Sequence, residues 1–180
     1  MRLTGRKSFI TGAAKGIGLS VARAFAAEGA AVALADISEE ESKKQSLEIK
    51  ESYGVDAIGV KCDVGDTISV QNAIKETSEA FNGLDTIACM AATLTERLDV
   101  VDLPEDEWNR TLNVNLTGSF LVCKHGIPFL REAGGGSIIL TASQMGQVAW
   151  PGSTAYCTTK GGILQLVKGI ALDHKDENIR

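Results

Sequence analysis

The chain has 180 residues, 44% of them hydrophobic, and this length and composition suit one soluble globular domain with a sizeable core. Its 23 acidic residues exceed its 18 Lys and Arg residues, the formal net charge is -5, and the basic residues are scattered. This charge pattern argues against nucleic acid and anionic membranes as partners.

Short apolar runs alternate with longer segments of helical period, which predicts strand–helix units around a parallel sheet that is buried on both faces. The first predicted strand covers residues 7–11, and helix A follows it and ends at Gly29. The predicted apolar face of helix A consists of Ile17, Val21, Ala24 and Phe25.

The next predicted units are strands 31–35, 57–62 and 86–90 with helices between them. Ser38 and Glu41 have the spacing of a capping box, and the helix that they begin ends near Gly54. Asp66 is the predicted cap of the third helix, which Asn82-Gly83 closes. Its predicted buried face consists of Val70, Ile74, Thr77 and Phe81.

A long helix is predicted from Pro104, at its first position, to Glu132, and three glycines then lead into strand 137–141. The last helix begins after Gly152 and reaches about Asp173. Its apolar stripe consists of Ile163, Leu166, Val167 and Ile170. These elements predict one α/β domain over residues 1–180, built on a doubly wound parallel sheet.

The N-terminal segment and the cysteines favour a cytoplasmic protein. Residues 1–7 lack the apolar segment of a signal peptide, and no apolar run approaches the roughly 18 residues of a membrane span. The cysteines lack CxxC spacing, so we expect reduced core thiols, no disulfide framework and no metal site. They are Cys62, Cys89, Cys123 and Cys157.

A glycine-rich segment, residues 11–18, lies where the first strand ends and helix A begins. Glycines there let the backbone approach a pyrophosphate, and the free N–H groups of the helix attract its charge. Gly12, Gly16 and Gly18 are the expected contact positions. A tight strand-to-helix turn without a ligand is the alternative interpretation.

Asp36, at the end of the second strand, is placed to accept hydrogen bonds from the ribose hydroxyls of adenosine and to repel a 2′-phosphate. Lys15 argues the other way, since a cation in the loop could pair with such a phosphate. We predict NAD as the cofactor, with NADP as the less favoured alternative.

Tyr156 and Lys160 are four residues apart on the last helix, so their side chains share one face. A free tyrosine has a pKa of about 10, and an adjacent ammonium favours the phenolate. Tyr156 is therefore the candidate acid–base and Lys160 its electrostatic partner. Both are also candidate cofactor-binding residues, Lys160 as a ribose ligand. Ser143 follows the fifth strand and could hold a substrate oxygen beside the phenol. Asn115, within the long helix, is predicted to hold a water or bend the helix.

Together these residues resemble the classical short-chain dehydrogenases/reductases over residues 6–180. The family's TGxxxGIG loop is matched at residues 11–18, its acidic residue by Asp36, and its adenine-contacting Asp-Val by Asp63-Val64. The family's tetrad is matched by Asn115, Ser143, Tyr156 and Lys160.

The resemblance implies a Rossmann-like three-layer αβα fold and hydride transfer between a nicotinamide cofactor and a secondary alcohol or ketone. It adds to the site the contacts of Ile17 in the loop and of Ala91 after the fourth strand. It also implies a homodimer or homotetramer. Two other functions remain open: an NADPH-dependent 3-oxoacyl reductase of the fatty-acid type, and a non-catalytic nucleotide-binding protein.

Two features depart from the family pattern. The first is Cys89-Met90-Ala91-Ala92, at the position where the family has Asn-Asn-Ala-Gly. The difference bears on the hydrogen bonds that support the sheet there and on the fit of the nicotinamide ribose. We expect the variation to be tolerated. The sequence also stops at Arg180, where the family's sixth strand begins, so we expect a fragment of a longer protein. A truncated product is the alternative, and it would leave the fifth strand as an exposed edge.

Overall fold

The computed structural model describes every residue from Met1 to Arg180 and contains one sheet of five parallel strands in the order β3-β2-β1-β4-β5. The strands are β1 (Lys7–Thr11), β2 (Ala31–Asp36), β3 (Ala57–Lys61), β4 (Thr86–Cys89) and β5 (Ser137–Leu140). The helices are α1 (Gly16–Ala27), α2 (Glu39–Tyr53), α3 (Thr67–Phe81), α4 (Glu105–Leu112), α5 (Gly118–Glu132) and α6 (Thr154–Asp173). The predicted doubly wound, Rossmann-like fold is confirmed.

The sheet is buried on both faces because successive residues of a strand point to opposite sides. Phe9 and Ile87 belong to the apolar layer shared with α3 and α5, whereas Ile10 and Leu34 belong to the layer shared with α1 and α2. The strand order reverses between β1 and β4. Open α/β sheets bind ligands at the carboxyl ends of the strands beside such a reversal, and this reversal therefore locates the candidate site.

Two local predictions about α1 and α2 are wrong. In α1 the residues buried against the sheet are Gly18, Ala22 and Ala26, while Ile17 is 73% exposed, because small side chains allow the helix to lie close to the strands. Ser38 is the residue before α2, but its hydroxyl makes no capping bond. Its N–H instead donates to the carboxylate of Asp36 (3.0 Å).

The predicted third and long helices agree better with the structure. The Asp66 carboxylate caps α3 by accepting from the N–H of Ser69, and the predicted face of α3 is buried. Pro104 lies one position before the first helical residue rather than at it. The long helix is continuous, but residues Asn113–Thr117 form a π-helical turn between α4 and α5, where the Gly118 N–H donates to the Asn113 carbonyl.

Residues 179 and 180 lie beside the start of β5. Ile179 forms a parallel bridge with Gly136, and the Ile138 N–H donates to the Arg180 carbonyl (2.8 Å). The edge of β5 is therefore covered at its beginning, while Ile139 is 40% exposed.

The four cysteines form no disulfide, and Cys62, Cys89 and Cys123 are buried as predicted, whereas Cys157 is only partly buried. None of the helices combines the length and the apolar character needed to cross a membrane.

Candidate active site

The turn after β1 depends on two glycines with different roles. Gly12 has a φ of +63°, and a Cβ added to it would lie 2.8 Å from the Cα of Ala91, so the end of β4 packs directly on it. A Cβ on Gly18 would collide with the carbonyl oxygen of Gly12. The two glycines thus allow the ends of β1, β4 and α1 to meet, which is a packing role beyond the predicted ligand contact.

The first turn of α1 presents unpaired backbone donors to the cleft. The N–H groups of Gly16, Ile17 and Gly18 have no acceptor in the protein, and no acidic side chain lies in this turn. Gly16 has a φ of +61° and open space where a Cβ would be. Unpaired N–H groups at a helix N-terminus bind anions, so this turn fits the pyrophosphate of a dinucleotide.

Asp36 lies at the carboxyl end of β2, and the backbone on both sides fixes its carboxylate. One carboxylate oxygen accepts from the Ala14 N–H (3.1 Å) and the other from the Ser38 N–H (3.0 Å). Each oxygen keeps a free lone pair, so the side chain can still accept from a ribose hydroxyl.

A cleft of about 700 Å³ opens along the carboxyl ends of β1 to β4. It brings together most of the residues predicted to bind the cofactor: Gly12, Lys15, Ile17, Gly18, Asp36, Asp63, Val64 and Ala91. Its other lining residues, which sequence reasoning missed, include Ile37, Cys62, Thr93, Arg110, Asn113 and Val114. No sequence signal distinguishes most of them, although Asn113 and Val114 adjoin the predicted Asn115.

Cys62 is a thiol at this cleft that stays protonated. Burial, together with the nearby carboxylates of Asp63 and Asp36, raises the pKa of the Cys62 thiol to about 12. A protonated thiol is a poor nucleophile, so Cys62 contributes packing rather than covalent chemistry.

Asn115 is buried in the π-helical turn and holds the coil that follows β4. Its side-chain oxygen accepts from the Thr93 N–H (2.7 Å), and its side-chain nitrogen donates to the Thr93 carbonyl (2.9 Å). The Ser119 hydroxyl donates to the Asn115 carbonyl (3.1 Å). The predicted bend at Asn115 therefore takes the form of a π turn, and the side chain joins α5 to the cleft wall.

Lys160 is buried (3% exposed) on α6, and its ammonium donates to the Thr141 carbonyl (2.7 Å) just after β5. The Lys160 Nζ lies 5.7 Å from the centre of the Tyr156 ring. Burial lowers the pKa of Lys160 from its ordinary value. This bond ties the face of α6 that carries Tyr156 to the carboxyl end of β5.

Ser143 begins the short 3-10 turn Gln144–Gly146, and its Oγ accepts from the Met145 N–H (3.2 Å). The structure records no acceptor for the Ser143 hydroxyl and no partner for the Tyr156 hydroxyl. A Cβ on Gly146 would lie 2.6 Å from the Lys160 carbonyl oxygen, so the turn after Ser143 packs on α6 at this level. Both hydroxyls are thus available to a ligand.

The departure after β4 does not strain the backbone. Ala92 has no positive φ, so the position does not require glycine. The Thr11 hydroxyl accepts from the N–H groups of Met90 (3.1 Å) and Ala91 (3.2 Å), and the Thr141 hydroxyl donates to the Met90 sulfur (2.9 Å). Met90 therefore still joins β4 to β5.

The lowered pKa of Lys160 predicts a pH-dependent stability. The unfolded chain binds the Lys160 proton more tightly than the folded chain, so stability rises as the pH increases toward about 10.4, the ordinary lysine pKa. We expect the free energy of unfolding of the unmodified chain to rise over this range relative to that of Lys160→Met, as measured by urea unfolding. A difference between the two proteins that stays constant with pH would contradict this expectation.

The chain was compared with protein families and with known proteins, and the matches agree with one another. The family model described as Enoyl-(Acyl carrier protein) reductase matches residues 12–180. The chain is 37% identical over 179 residues to 2,5-dichloro-2,5-cyclohexadiene-1,4-diol dehydrogenase of Sphingobium indicum, covering 99% of this chain and 71% of the relative. It is 38% identical to trans-4-hydroxycyclohexanecarboxylate dehydrogenase of Sinomonas cyclohexanicum, covering 99% of this chain and 70% of the relative.

A solved structure agrees with these matches. The crystal structure of a 3-ketoacyl-ACP reductase from Sinorhizobium meliloti superposes with a TM-score of 0.93 at 34% sequence identity. The superposition covers 96% of this chain and 68% of the other.

Proposed function

The chain belongs to the short-chain dehydrogenase/reductase family and is an oxidoreductase that acts on CH–OH groups with a nicotinamide cofactor, and we propose that it uses NAD with Tyr156 as its acid–base. The observation that supports the proposal is the bond from the Lys160 ammonium to the Thr141 carbonyl, which joins the helix that carries Tyr156 to the segment that leads to Ser143. The cofactor, when bound, supplies hydride exchange at its nicotinamide ring. The protein supplies position, proton transfer and charge.

In this proposal the two free hydroxyls share the substrate oxygen. The Ser143 oxygen accepts from the Met145 N–H, which leaves the Ser143 O–H free to donate to a substrate oxygen. Tyr156 takes the proton of an alcohol or returns it to a carbonyl, and the Lys160 ammonium stabilises the phenolate. Asn115 holds the cleft wall through Thr93.

The cofactor would lie along the cleft. The N–H groups of Gly16, Ile17 and Gly18 would bind the pyrophosphate, Asp36 the adenosine ribose, and Asp63-Val64 the adenine. Ala91 lies at the cleft wall beside Gly12. The direct test is to incubate the chain with NAD and a panel of cyclic secondary alcohols and to follow NADH formation by absorbance. NADH formation supports the proposal, and binding of NAD without turnover of any alcohol favours the non-catalytic alternative.

The preference for NAD rests on the charge of Asp36. We expect Asp36→Asn to lower the ratio of the Kd values for NADP and NAD about tenfold, which is about 1.4 kcal/mol. The amide keeps an acceptor oxygen but loses the charge that repels a 2′-phosphate. Isothermal titration calorimetry measures both Kd values.

Asp56→Asn is the matched control, because Asp56 is exposed at the turn before β3 and lies outside the cleft. It should leave both Kd values unchanged. An unaltered ratio in Asp36→Asn would remove Asp36 from the specificity argument.

The second candidate is an NADPH-dependent 3-oxoacyl reductase. It is favoured by Lys15, which is exposed, lines the cleft and has no ion-pair partner. A preference of about tenfold for NADPH over NADH in the unmodified chain would select this candidate.

We further propose that the protein works in the cytoplasm as a homodimer or homotetramer. Val167 and Leu172 are exposed on α6, and Ile139 is exposed on the adjacent edge strand. Exposed apolar side chains of this kind support self-association. A sedimentation mass equal to one chain would contradict it.

A further inference from the structure

The coil between β4 and α4, residues 90–104, forms one wall of the cleft without regular secondary structure. Its first attachment is at Met90 and Ala91, whose N–H groups donate to the Thr11 hydroxyl, while the Met90 sulfur accepts from the Thr141 hydroxyl. Its second is the pair of bonds between the Asn115 side chain and the Thr93 backbone. Leu94, the next residue, is 71% exposed. The cleft wall is therefore held at few points.

A third attachment comes from α4. Arg110 Nη1 donates to the Thr93 hydroxyl oxygen at 2.6 Å, and Arg110 itself lines the cleft. The guanidinium is fixed in turn by Glu107, whose two carboxylate oxygens accept from Nη2 at 2.9 and 3.2 Å. A charge-assisted bond of this length is among the stronger hydrogen bonds in proteins.

We propose that Arg110 is a positioning residue for cofactor binding, acting through Thr93. This inference rests on the proposed function, because the wall that it fixes is the wall of the nicotinamide-nucleotide cleft. Asn115 bonds only to the backbone of Thr93, whereas Arg110, in the preceding part of the same long helix, bonds to the Thr93 side chain. The bonds from Asn115 and Arg110 together fix both the position and the orientation of Thr93.

The partners of the Arg110 guanidinium support a positioning role over direct binding of a phosphate. The guanidinium already has the Glu107 carboxylate and the Thr93 hydroxyl as partners. The unpaired donors for a phosphate lie instead in the first turn of α1. Arg110 therefore positions the cleft wall, while the backbone N–H groups of α1 bind the phosphate charge.

The test is a double-mutant cycle with NADH binding by the full chain, measured by fluorescence titration. Arg110→Ala and Thr93→Val should each raise the Kd for NADH about fivefold to tenfold, the effect expected from losing one solvent-accessible hydrogen bond. Because both substitutions remove the same bond, the Kd of the double variant for NADH should be no higher than that of the single variant with the higher Kd. Arg110→Lys, which keeps one donor, should restore part of the affinity.

Arg23→Ala is the matched control. The Arg23 side chain is 45% exposed, similar to the 49% of Arg110, and it pairs with Glu48. Arg23 belongs to α1 and Glu48 to α2, and neither lines the cleft. It should lower the melting temperature as much as Arg110→Ala and leave the Kd unchanged. A merely structural role for Arg110 predicts equal Kd values for the two alanine variants.

Each outcome bears on the proposal. An unchanged Kd in Arg110→Ala, or effects of the single variants that multiply in the double, would overturn it. If Arg110→Ala fails to fold, Glu107→Gln replaces it, and a Kd equal to that of the unmodified chain would overturn the inference equally. If the unmodified chain binds no NADH, the proposed function itself fails, and the positioning role of Arg110 fails with it.

Discussion

Replacing Tyr156 with Phe is expected to lower kcat/KM by about 10²–10⁴-fold, while the Kd for NADH stays within about twofold of that of the unmodified chain. The substitution removes only the hydroxyl that would exchange a proton with the substrate. The ring keeps its place beside Lys160, whose Nζ lies 5.7 Å from the ring centre. Steady-state kinetics with an accepted alcohol and a fluorescence titration with NADH measure the two quantities.

The matched control is Tyr53→Phe, because Tyr53 is the other of the two tyrosines and lies at the end of α2, away from the cleft. It should leave both quantities unchanged. Full activity in Tyr156→Phe would require another acid–base and would end the proposed mechanism. Equal losses in both variants would indicate a general effect of the substitution on folding.

Gly18→Ala is expected to lower the free energy of unfolding by about 3 kcal/mol, at the upper end of the usual cost of overpacking, and to weaken NADH binding by tenfold or more. The added methyl group would collide with the Gly12 carbonyl, so either α1 or the turn after β1 must move. That movement displaces the free N–H groups of the first helical turn. Urea unfolding and NADH titration measure the two effects.

Gly169→Ala provides a control with the opposite sign. Gly169 lies in α6 with nothing within 4 Å of an added Cβ, so alanine there should stabilise the chain by about 0.5–1 kcal/mol. NADH binding should not change. Equal stability changes in the two variants would show that helix propensity, not the collision with Gly12, governs position 18.

The strands and the loop at the carboxyl end of the first strand could be predicted from sequence because they depend on patterns that are local. The run from Lys7 to Thr11 has Phe9 and Ile10 at its centre and is followed by Gly12, and the structure gives β1 the same bounds. The cap at Asp66 likewise depends on neighbouring residues. The family resemblance is also confirmed by the comparisons, whereas the roles of the individual site residues stay predictions.

Features that depend on contacts between distant segments could not be read in this way. Ile17 fits a helical apolar stripe, yet it faces the cleft, because Gly18 and not Ile17 is the residue that meets the sheet. The bond from Arg110 to Thr93 spans 17 residues and has no motif. Its existence depends on how α4 is placed against the coil after β4.

The π-helical turn has a consequence for tolerated changes in chain length. The turn Asn113–Thr117 holds one residue more than an α-helical turn, so α4 and α5 are offset in phase by about 100°. Deleting one residue there would restore a regular helix and rotate Asn115 and Arg110 out of register with each other. The number of residues in this segment, and not only their identity, is therefore under constraint: point substitutions can preserve the offset, whereas a single-codon deletion removes it.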